Sequence, residues 1–224
     1  MNLLIDNVFC ADLHVHSEHS YDSVQSVNTI PARARACGLD AVAVTDHDTF
    51  SGSRAVPDAT DDVMIVAGAE LRTKEYDDLL ALFVDGPIET RRFEDAVDRI
   101  HDRGGLAVLP HPYRKFDTVP DWVLDSVDAV EGLNARSKQK WNEKAARLGN
   151  DHGLPLLGGS DAHTKWEIGR AYSAVRGGVE TPAELREQLR AGAVEPRGTE
   201  TPYLPAHGVS VAIETIKAGV ERLR

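Results

Sequence analysis

Short apolar runs punctuate the chain at nearly regular intervals, each followed by polar or helix-forming sequence. Runs of about four to eight residues, rich in Val, Ala and Leu and without strict alternation, read as strands covered on both faces. Strands are predicted at Phe9–Val15, Ala41–Thr45, Val63–Ala67, Leu79–Val84, Ala107–Pro110, Ala129–Leu133, Pro155–Gly158 and Ala171–Val175. Helices are predicted between them. Val27–Cys37 stops at Gly38, which suits a left-handed C-cap. Glu89–Arg103 stops before Gly104-Gly105, and Ala135–His152 before Gly153. Thr181-Pro182-Ala183-Glu184 spells a capping box with Pro at the first helical position, opening a helix to about Ala191. Val209–Arg224 reads as an amphipathic helix with Val211, Ile213, Ile216 and Val220 apolar. This alternation implies an α/β fold with a parallel sheet and right-handed crossovers. About seven or eight such units in 224 residues predict a compact or distorted barrel. One domain is expected over residues 1–224, with a core at about 9–175 and a helical tail at about 181–224.

Residues with ligand chemistry sit directly after these runs. Asp12-Leu13-His14-Val15-His16 ends the first and Thr45-Asp46-His47-Asp48 follows the second. Glu70 follows the third, Pro110-His111-Pro112 the fifth and Ser160-Asp161-Ala162-His163 the seventh. A lone His-x-His is more often two solvent-facing histidines than a site. Clusters at successive strand ends instead describe one site assembled from distant parts of the chain, at the carboxyl ends where barrels and open α/β sheets do their chemistry. Neutral imidazole and carboxylate together are the ligand set of Zn, Mn or Fe. His14 and His16, at i and i+2 on a strand, share a face and can point at one ion. Asp12 is expected to orient an imidazole from behind, and Asp46 or Asp48 to do so for His47. Glu70 has two oxygens and can bridge two cations. Pro110 and Pro112 restrict the backbone around His111. Asp161 and His163 can serve neighbouring ions, and Gly158 and Gly159 allow close backbone approach.

Composition narrows this picture. A hydrophobic content of 42 % is enough for one sizeable core. Cys10 and Cys37 cannot form a disulfide framework, and both are expected to be buried thiols. With no apolar run near about 18 residues, membrane spanning is not expected, and the cytoplasm is the expected compartment. The net charge of −11 comes from 36 acidic and 25 basic residues, only 7 of them Lys. That surface disfavours a sequence-independent grip on duplex nucleic acid. Bound cations would invert the acidic field locally, so anionic substrates stay compatible with it.

The ordered set Asp-Leu-His-Val-His, Thr-Asp-His-Asp, Gly-Ala-Glu, His-Pro and Ser-Asp-Ala-His, followed by Ile168-Gly169-Arg170-Ala171-Tyr172, resembles the polymerase and histidinol phosphatase (PHP) superfamily of metal-dependent phosphoesterases. The resemblance spans about residues 9–175. It implies a distorted (β/α)7 barrel with two or three divalent metal ions (Zn, Mn or Fe) in its mouth. It implies that His14, His16, Glu70 and Asp161 hold one ion, Glu70 and His111 a second, and His47 and His163 a third. Asp22 is the expected remaining ligand of the third ion, with His19 as the rival. Where some members supply a further His for the second ion, this chain has Glu131-Gly132-Leu133-Asn134. The implied activity is hydrolysis of a phosphate ester by water or hydroxide held between metals. Glu70 and Asp161 would be central to it, and Asp161 or His19 would handle a proton. Arg114, Lys115 and Arg136 are expected to grip phosphate. The expected substrate is a nucleotide, sugar phosphate or short oligonucleotide. Two other readings remain: an amidohydrolase-like C–N hydrolase, and a non-catalytic PHP-like subunit associated with nucleic acid. His101 and His207 read as surface residues and the tryptophans as packing residues, with Trp166 notable for its nearness to His163.

Overall fold

The computed structural model describes residues 8–56 and 63–221. One sheet carries 9 strands in the order β7-β6-β5-β4-β3-β2-β1-β8-β9. The strands are β1 Val8–Val15, β2 Ala41–Val44, β3 Met64–Arg72, β4 Asp78–Leu82, β5 Leu106–Leu109, β6 Ala129–Asn134, β7 Leu156–Gly159, β8 Ala171–Arg176 and β9 Val194–Gly198. The helices are α1 Ile30–Ala36, α2 Ser51–Ala55, α3 Phe93–Asp102, α4 Asp121–Leu124, α5 Gln139–His152, α6 Pro182–Arg190 and α7 Tyr203–Glu221. The sheet curls until β7 meets β8 and β9, giving a nearly closed barrel. At the seam, Ser173 Oγ lies 3.0 Å from both the backbone N and O of Gly158. A Cβ on residue 158 would strike the Tyr172 carbonyl, so this approach requires glycine.

The interior is packed with residues such as Ala11, Ala43, Val66, Leu82, Leu106 and Val108, joined by Leu185 and Leu189 of α6. Arg186 and Arg190 of α6 donate to the carbonyls of Gly104 and Gly105, just before β5. Helix α6 therefore closes the amino end of the parallel strands, leaving the carboxyl end open as a mouth. Two irregularities decide what enters that mouth. β1 pairs with β2 as Asp12–Val42 and then Val15–Val44, so β1 holds one extra residue. Ala11 faces inward before the shift; after it the phase reverses and His14 and His16 turn inward. β6 does the same against β7, with Glu131–Leu157 followed by Leu133–Gly158. Glu131 faces inward before that shift and Asn134 after it.

The expected all-parallel sheet is corrected in three places. β1–β2–β3 and β5–β6–β7 are parallel, but β4 is antiparallel to both of its neighbours. The link from β3 to β4 is a short hairpin, too short for a crossover. β8 runs antiparallel to β1, and β9 antiparallel to β8. β9 was not foreseen: Val194-Glu195-Pro196-Arg197-Gly198 is polar, and its Pro is tolerated because the strand lies at the sheet edge. Helix α5 starts at Gln139, not Ala135, because residues 135–138 form a turn. The Thr181 capping box is present as predicted. Helix α7 begins at Tyr203, earlier than expected, and residues 222–224 of the predicted C-terminal helix lie outside the described residues. Its buried positions are Ala206, Ser210 and Ile213, whereas Val209, Val211, Ile216 and Val220 are exposed. The predicted apolar stripe therefore faces mostly outward. Cys10 is part-buried and Cys37 is exposed, so neither is the fully buried thiol expected. Among the described residues, no helix is long and apolar enough to cross a membrane.

Candidate metal centre

Every ligand candidate from the strand ends reaches the mouth. His14 Nε2 lies 3.1 Å from His16 Nε2, and each lies 3.3 Å from Glu70 Oε2. Asp161 Oδ1 is 3.8 Å from His14 Nε2 and 3.4 Å from His16 Nε2. Atoms held about 2.1 Å from one cation lie about 3.0–3.4 Å from each other, which is close to the spacing here. Glu70 spans the site: Oε1 is 2.9 Å from His111 Nε2, and Oε2 is 3.2 Å from His47 Nδ1. On the other side of His16, Asp22 Oδ2 is 2.8 Å from His163 Nε2 and 3.5 Å from His47 Nε2. Among the described residues, ligand atoms converge within 4.8 Å of one another in four overlapping sets: His14–His16–Glu70, His14–His111–Asp161, Glu70–Asp78–His111 and His16–Asp22–His47–His163. Asp22, not His19, joins the last set. The His19 side chain is exposed at the rim of the mouth.

The electrostatics describe a cage built for positive charge. Burial pushes the Glu70 carboxyl up, but the imidazoles of His47, His14 and His111 outweigh it and hold it well below the usual carboxylate range. Burial likewise opposes ionisation of Asp161, and Arg114, His14 and His16 overcome it. His14 is raised well above its ordinary value against the effect of burial, because Glu131, Asp161 and Glu70 surround it. His16 rises to about 9 through hydrogen bonds to Asp161 and Glu70 that outweigh burial. Positive charge is thus favoured on His14 and His16 among the carboxylates, whereas burial and the neighbouring His16 push His163 down to about 4. Among the described residues, Asp22 Oδ1 and His111 Nδ1 are buried without a hydrogen-bond partner, which is costly unless another group satisfies them. The donor set and these orphaned atoms fit divalent cations.

A supporting shell fixes the ligands, and it differs from the one expected. Glu131, fully buried, places Oε1 3.1 Å from His14 Nδ1 and accepts the backbone N–H of His111 through Oε2. It therefore sets which nitrogen of His14 faces the cluster. Gly159 makes this possible, since a Cβ there would strike the Glu131 carboxylate and the His14 Cβ. Asn134 Nδ2 donates to Glu131 Oε2 and Asp161 Oδ2. Asp12 makes no hydrogen bond to an imidazole among the described residues; it accepts backbone N–H groups of His14 in its own strand and of Ser160 and Gly169, tying β1 to both ends of the β7–β8 connection. Burial pushes its carboxyl up to about 6. Asp46 accepts from Ser17 N and Oγ, and Asp48 from the Arg72 backbone, so neither orients His47. His111 and Asp161 have φ of 29° and 54°, left-handed backbone that costs a non-glycine residue about 1–2 kcal/mol. Strain of this kind gathers at functional sites.

The three cations assigned to phosphate are placed unequally. Arg114 Nη2 lies 2.6 Å from Asp161 Oδ2 and 2.8 Å from Asn134 Oδ1, so this terminus already braces a ligand. Lys115 Nζ lies between Asp77 Oδ1 and Asp78 Oδ2, at the edge of the Glu70–Asp78–His111 set. Arg136 is a correction: it is buried, donates to Ala206 O and Ser210 Oγ of α7, and pairs with Glu167, which holds the backbone of His163, so its guanidinium braces the site from behind. Sequence reasoning missed Asp78, Glu131 as a partner of His14, and Asn134. An acid inside the apolar run Ala129–Leu133 was the available signal for Glu131; nothing local signalled Asn134.

Comparison with known proteins agrees with this geometry. Residues 12–117 match the family model described as PHP domain, and residues 139–194 the one described as PHP-associated. Uncharacterized protein MJ1587 of Methanocaldococcus jannaschii is 32 % identical over 140 residues, covering 56 % of this chain and 81 % of that protein. A protein of Acetivibrio thermocellus named Probable phosphatase is 26 % identical over 227 residues, covering 79 % of this chain and 90 % of that protein. A Bacteroides vulgatus crystal structure, titled as a two-domain protein containing a predicted PHP-like metal-dependent phosphoesterase, superposes with a TM-score of 0.76 at 16 % identity. That likeness covers 87 % of this chain and 66 % of the other, and it is one of fold. The chain belongs to the PHP family, a family of metal-dependent phosphoesterases.

Proposed function

We propose that this chain hydrolyses phosphate esters with two or three divalent cations (Zn, Mn or Fe) held in the barrel mouth. The convergence of the His16, His47 and His111 ring nitrogens on the two oxygens of Glu70 carries this reading. Divalent cations bound there supply charge to neutralise phosphate oxygens and to lower the pKa of water. Glu70 links the ligand sets, so it fixes their separation. Asp161 presents Oδ1 to His14 and His16 while Arg114 and Asn134 hold Oδ2, which orients the carboxylate. Arg114 and Lys115 would meet the phosphate by exchanging one of their present acidic partners. His19 borders a cleft of about 690 Å3 together with Tyr21, His47 and residues of α7. There it would exchange a proton with a leaving group and leave the cations to others. The cleft suits a small substrate such as a nucleotide, a sugar phosphate or the end of a short oligonucleotide, and the acidic surface disfavours long duplexes.

The test is a panel of phosphomonoesters, short oligonucleotides and amides, assayed on metal-stripped protein with Mn2+ or Zn2+ restored. Phosphate release that depends on metal is expected. Glu70→Gln should cut turnover at least about a hundred-fold with the fold intact. Near-normal turnover by that variant at full metal loading, or cleavage confined to C–N bonds, would defeat the reading.

A further inference from the structure

One side chain outside the ligand sets fastens the segment that delivers Asp22. Lys217 of α7 places Nζ 2.9 Å from the carbonyl of Glu18, 2.5 Å from that of Ser20 and 2.6 Å from that of Ser23. An ammonium has three N–H donors, and these carbonyls can occupy all of them. All belong to one short loop, and Asp22 lies within it. The opposite face of that loop addresses the site. Ser20 Oγ lies 3.2 Å from His16 Nδ1 and accepts the backbone N–H of His47. Ser23 Oγ donates to the carbonyls of His16 and His163. Asp22 Oδ2 meets His163, and its Oδ1 is buried without a partner.

The helix behind Lys217 is seated through one stripe. Ala206, Ser210 and Ile213 are buried, and Lys217 continues their spacing of four, three and four along the helix. That periodicity keeps all four positions on a single face. Arg136 secures the first turns by donating to Ala206 O and Ser210 Oγ. A chain of contacts therefore runs from Arg136 through α7 to Lys217 and on to the loop carrying Asp22.

We propose that Lys217 is a positioning residue, and that α7 is a latch holding Asp22 in place for the cation bound by His16, Asp22, His47 and His163. The proposal rests on the metal-centre reading above. It requires that loosening the latch weaken this one cation and spare the others. Three charge-assisted bonds converge on one loop, and losing them exposes the loop to alternative backbone conformations. Arginine can restore part of the contact; methionine keeps the aliphatic length and removes every donor.

The test compares wild type, Lys217→Met and Lys217→Arg, with Val211→Ser on the exposed face of α7, outside the cleft, as a control for helix perturbation. Amide hydrogen exchange on metal-stripped protein reads the latch without reference to metal. Residues 17–25 should lose about ten-fold protection in Lys217→Met and recover in Lys217→Arg. Calorimetric titration with Mn2+ then reads the site. One binding equivalent should weaken at least about ten-fold in Lys217→Met while the remaining equivalents and the melting temperature of the stripped protein hold. Unchanged exchange in Lys217→Met overturns the latch. A loosened loop with every equivalent bound as in wild type, or all equivalents weakened alike, overturns the positioning role. Wild type that binds no divalent metal defeats the metal-centre reading and the positioning role with it, while the exchange result still decides the latch.

Discussion

At the amino end of the barrel, Leu82, Leu106 and Leu185 are at most 1 % exposed; at the carboxyl end, His14, His16, Glu70 and Asp161 are at most 2 % exposed. The same degree of burial has opposite energetic signs at the two ends. Taking a leucine side chain out of water stabilises by about 1.5–3 kcal/mol. Taking an imidazole–carboxylate cluster out of water costs free energy that mutual pairing returns only in part. Left-handed backbone on non-glycine residues occurs at both ends, at His111 and Asp161 in the mouth and at Phe83 beside Leu82. The amino end holds the barrel together, and the mouth is a preorganised arrangement that the rest of the fold sustains. Cations are what would turn its cost into a gain.

The largest expected effect breaks the first half of that comparison. Leu82→Ala should cost about 2–5 kcal/mol of unfolding free energy, from lost burial and a residual cavity. Denaturant titration would measure it, and metal stoichiometry per folded molecule should stay at the wild-type value. A change in stoichiometry would show that the two ends are not separable. Next comes the sign of the mouth itself. Divalent metal at about a hundred times its Kd should stabilise the stripped protein by about 2.7 kcal/mol for one site. For a chain of this size that raises Tm by about 5–10 °C, and a chelator should reverse it. No shift in a differential scan would mean that the buried cluster is satisfied without cations. A smaller effect is expected from Glu131→Gln, which keeps the shape but weakens the acceptor behind His14 Nδ1. Metal affinity should fall about 10–100-fold, read by competition with a chromophoric chelator. Unaltered affinity would reduce Glu131 to a packing residue.

The converging side chains other than Asp22 were legible in the sequence because each lies in a short motif directly after an apolar run. Their supporting residues were not, and the reason is geometric. The extra residue in β1 and the one in β6 reverse the in–out phase of the strand, so period-two reasoning cannot say that Asn134 turns inward. Asp12 looked like an imidazole partner because i and i+2 share a strand face, but the extra residue between Asp12 and Val15 puts His14 out of phase with it, and it bonds backbone amides instead. Asp78 reaches the mouth because β4 runs antiparallel and begins at that rim, a fact of topology with no local signal. Arg136 illustrates the same limit from the other direction. Its place just after β6 suggested phosphate, yet its partners are Glu167 and residues of α7, about seventy residues later. The outward stripe of α7 was misread because helical periodicity locates an apolar face without saying what covers it.

Thr181 offers the mildest test, at a site where sequence and structure coincide. Its side chain accepts the backbone N–H of Glu184 at 3.2 Å, and Glu184 Oε2 accepts the Thr181 N–H at 3.1 Å. This reciprocal pair satisfies donors that the first turn of α6 would otherwise leave open. Helix α6 closes the amino end through Leu185 and Leu189, so the cap supports the apolar end of the barrel and touches nothing in the mouth. Thr181→Ala should cost about 1 kcal/mol of stability. The exposed position leaves the lost bonds to be replaced by water, which keeps the cost low. Metal affinity and turnover should be indistinguishable from wild type at temperatures where both proteins are folded. A Thr181→Ala protein with weakened metal binding would connect α6 to the mouth by a route that the packing does not contain, and the division between the two ends would fail.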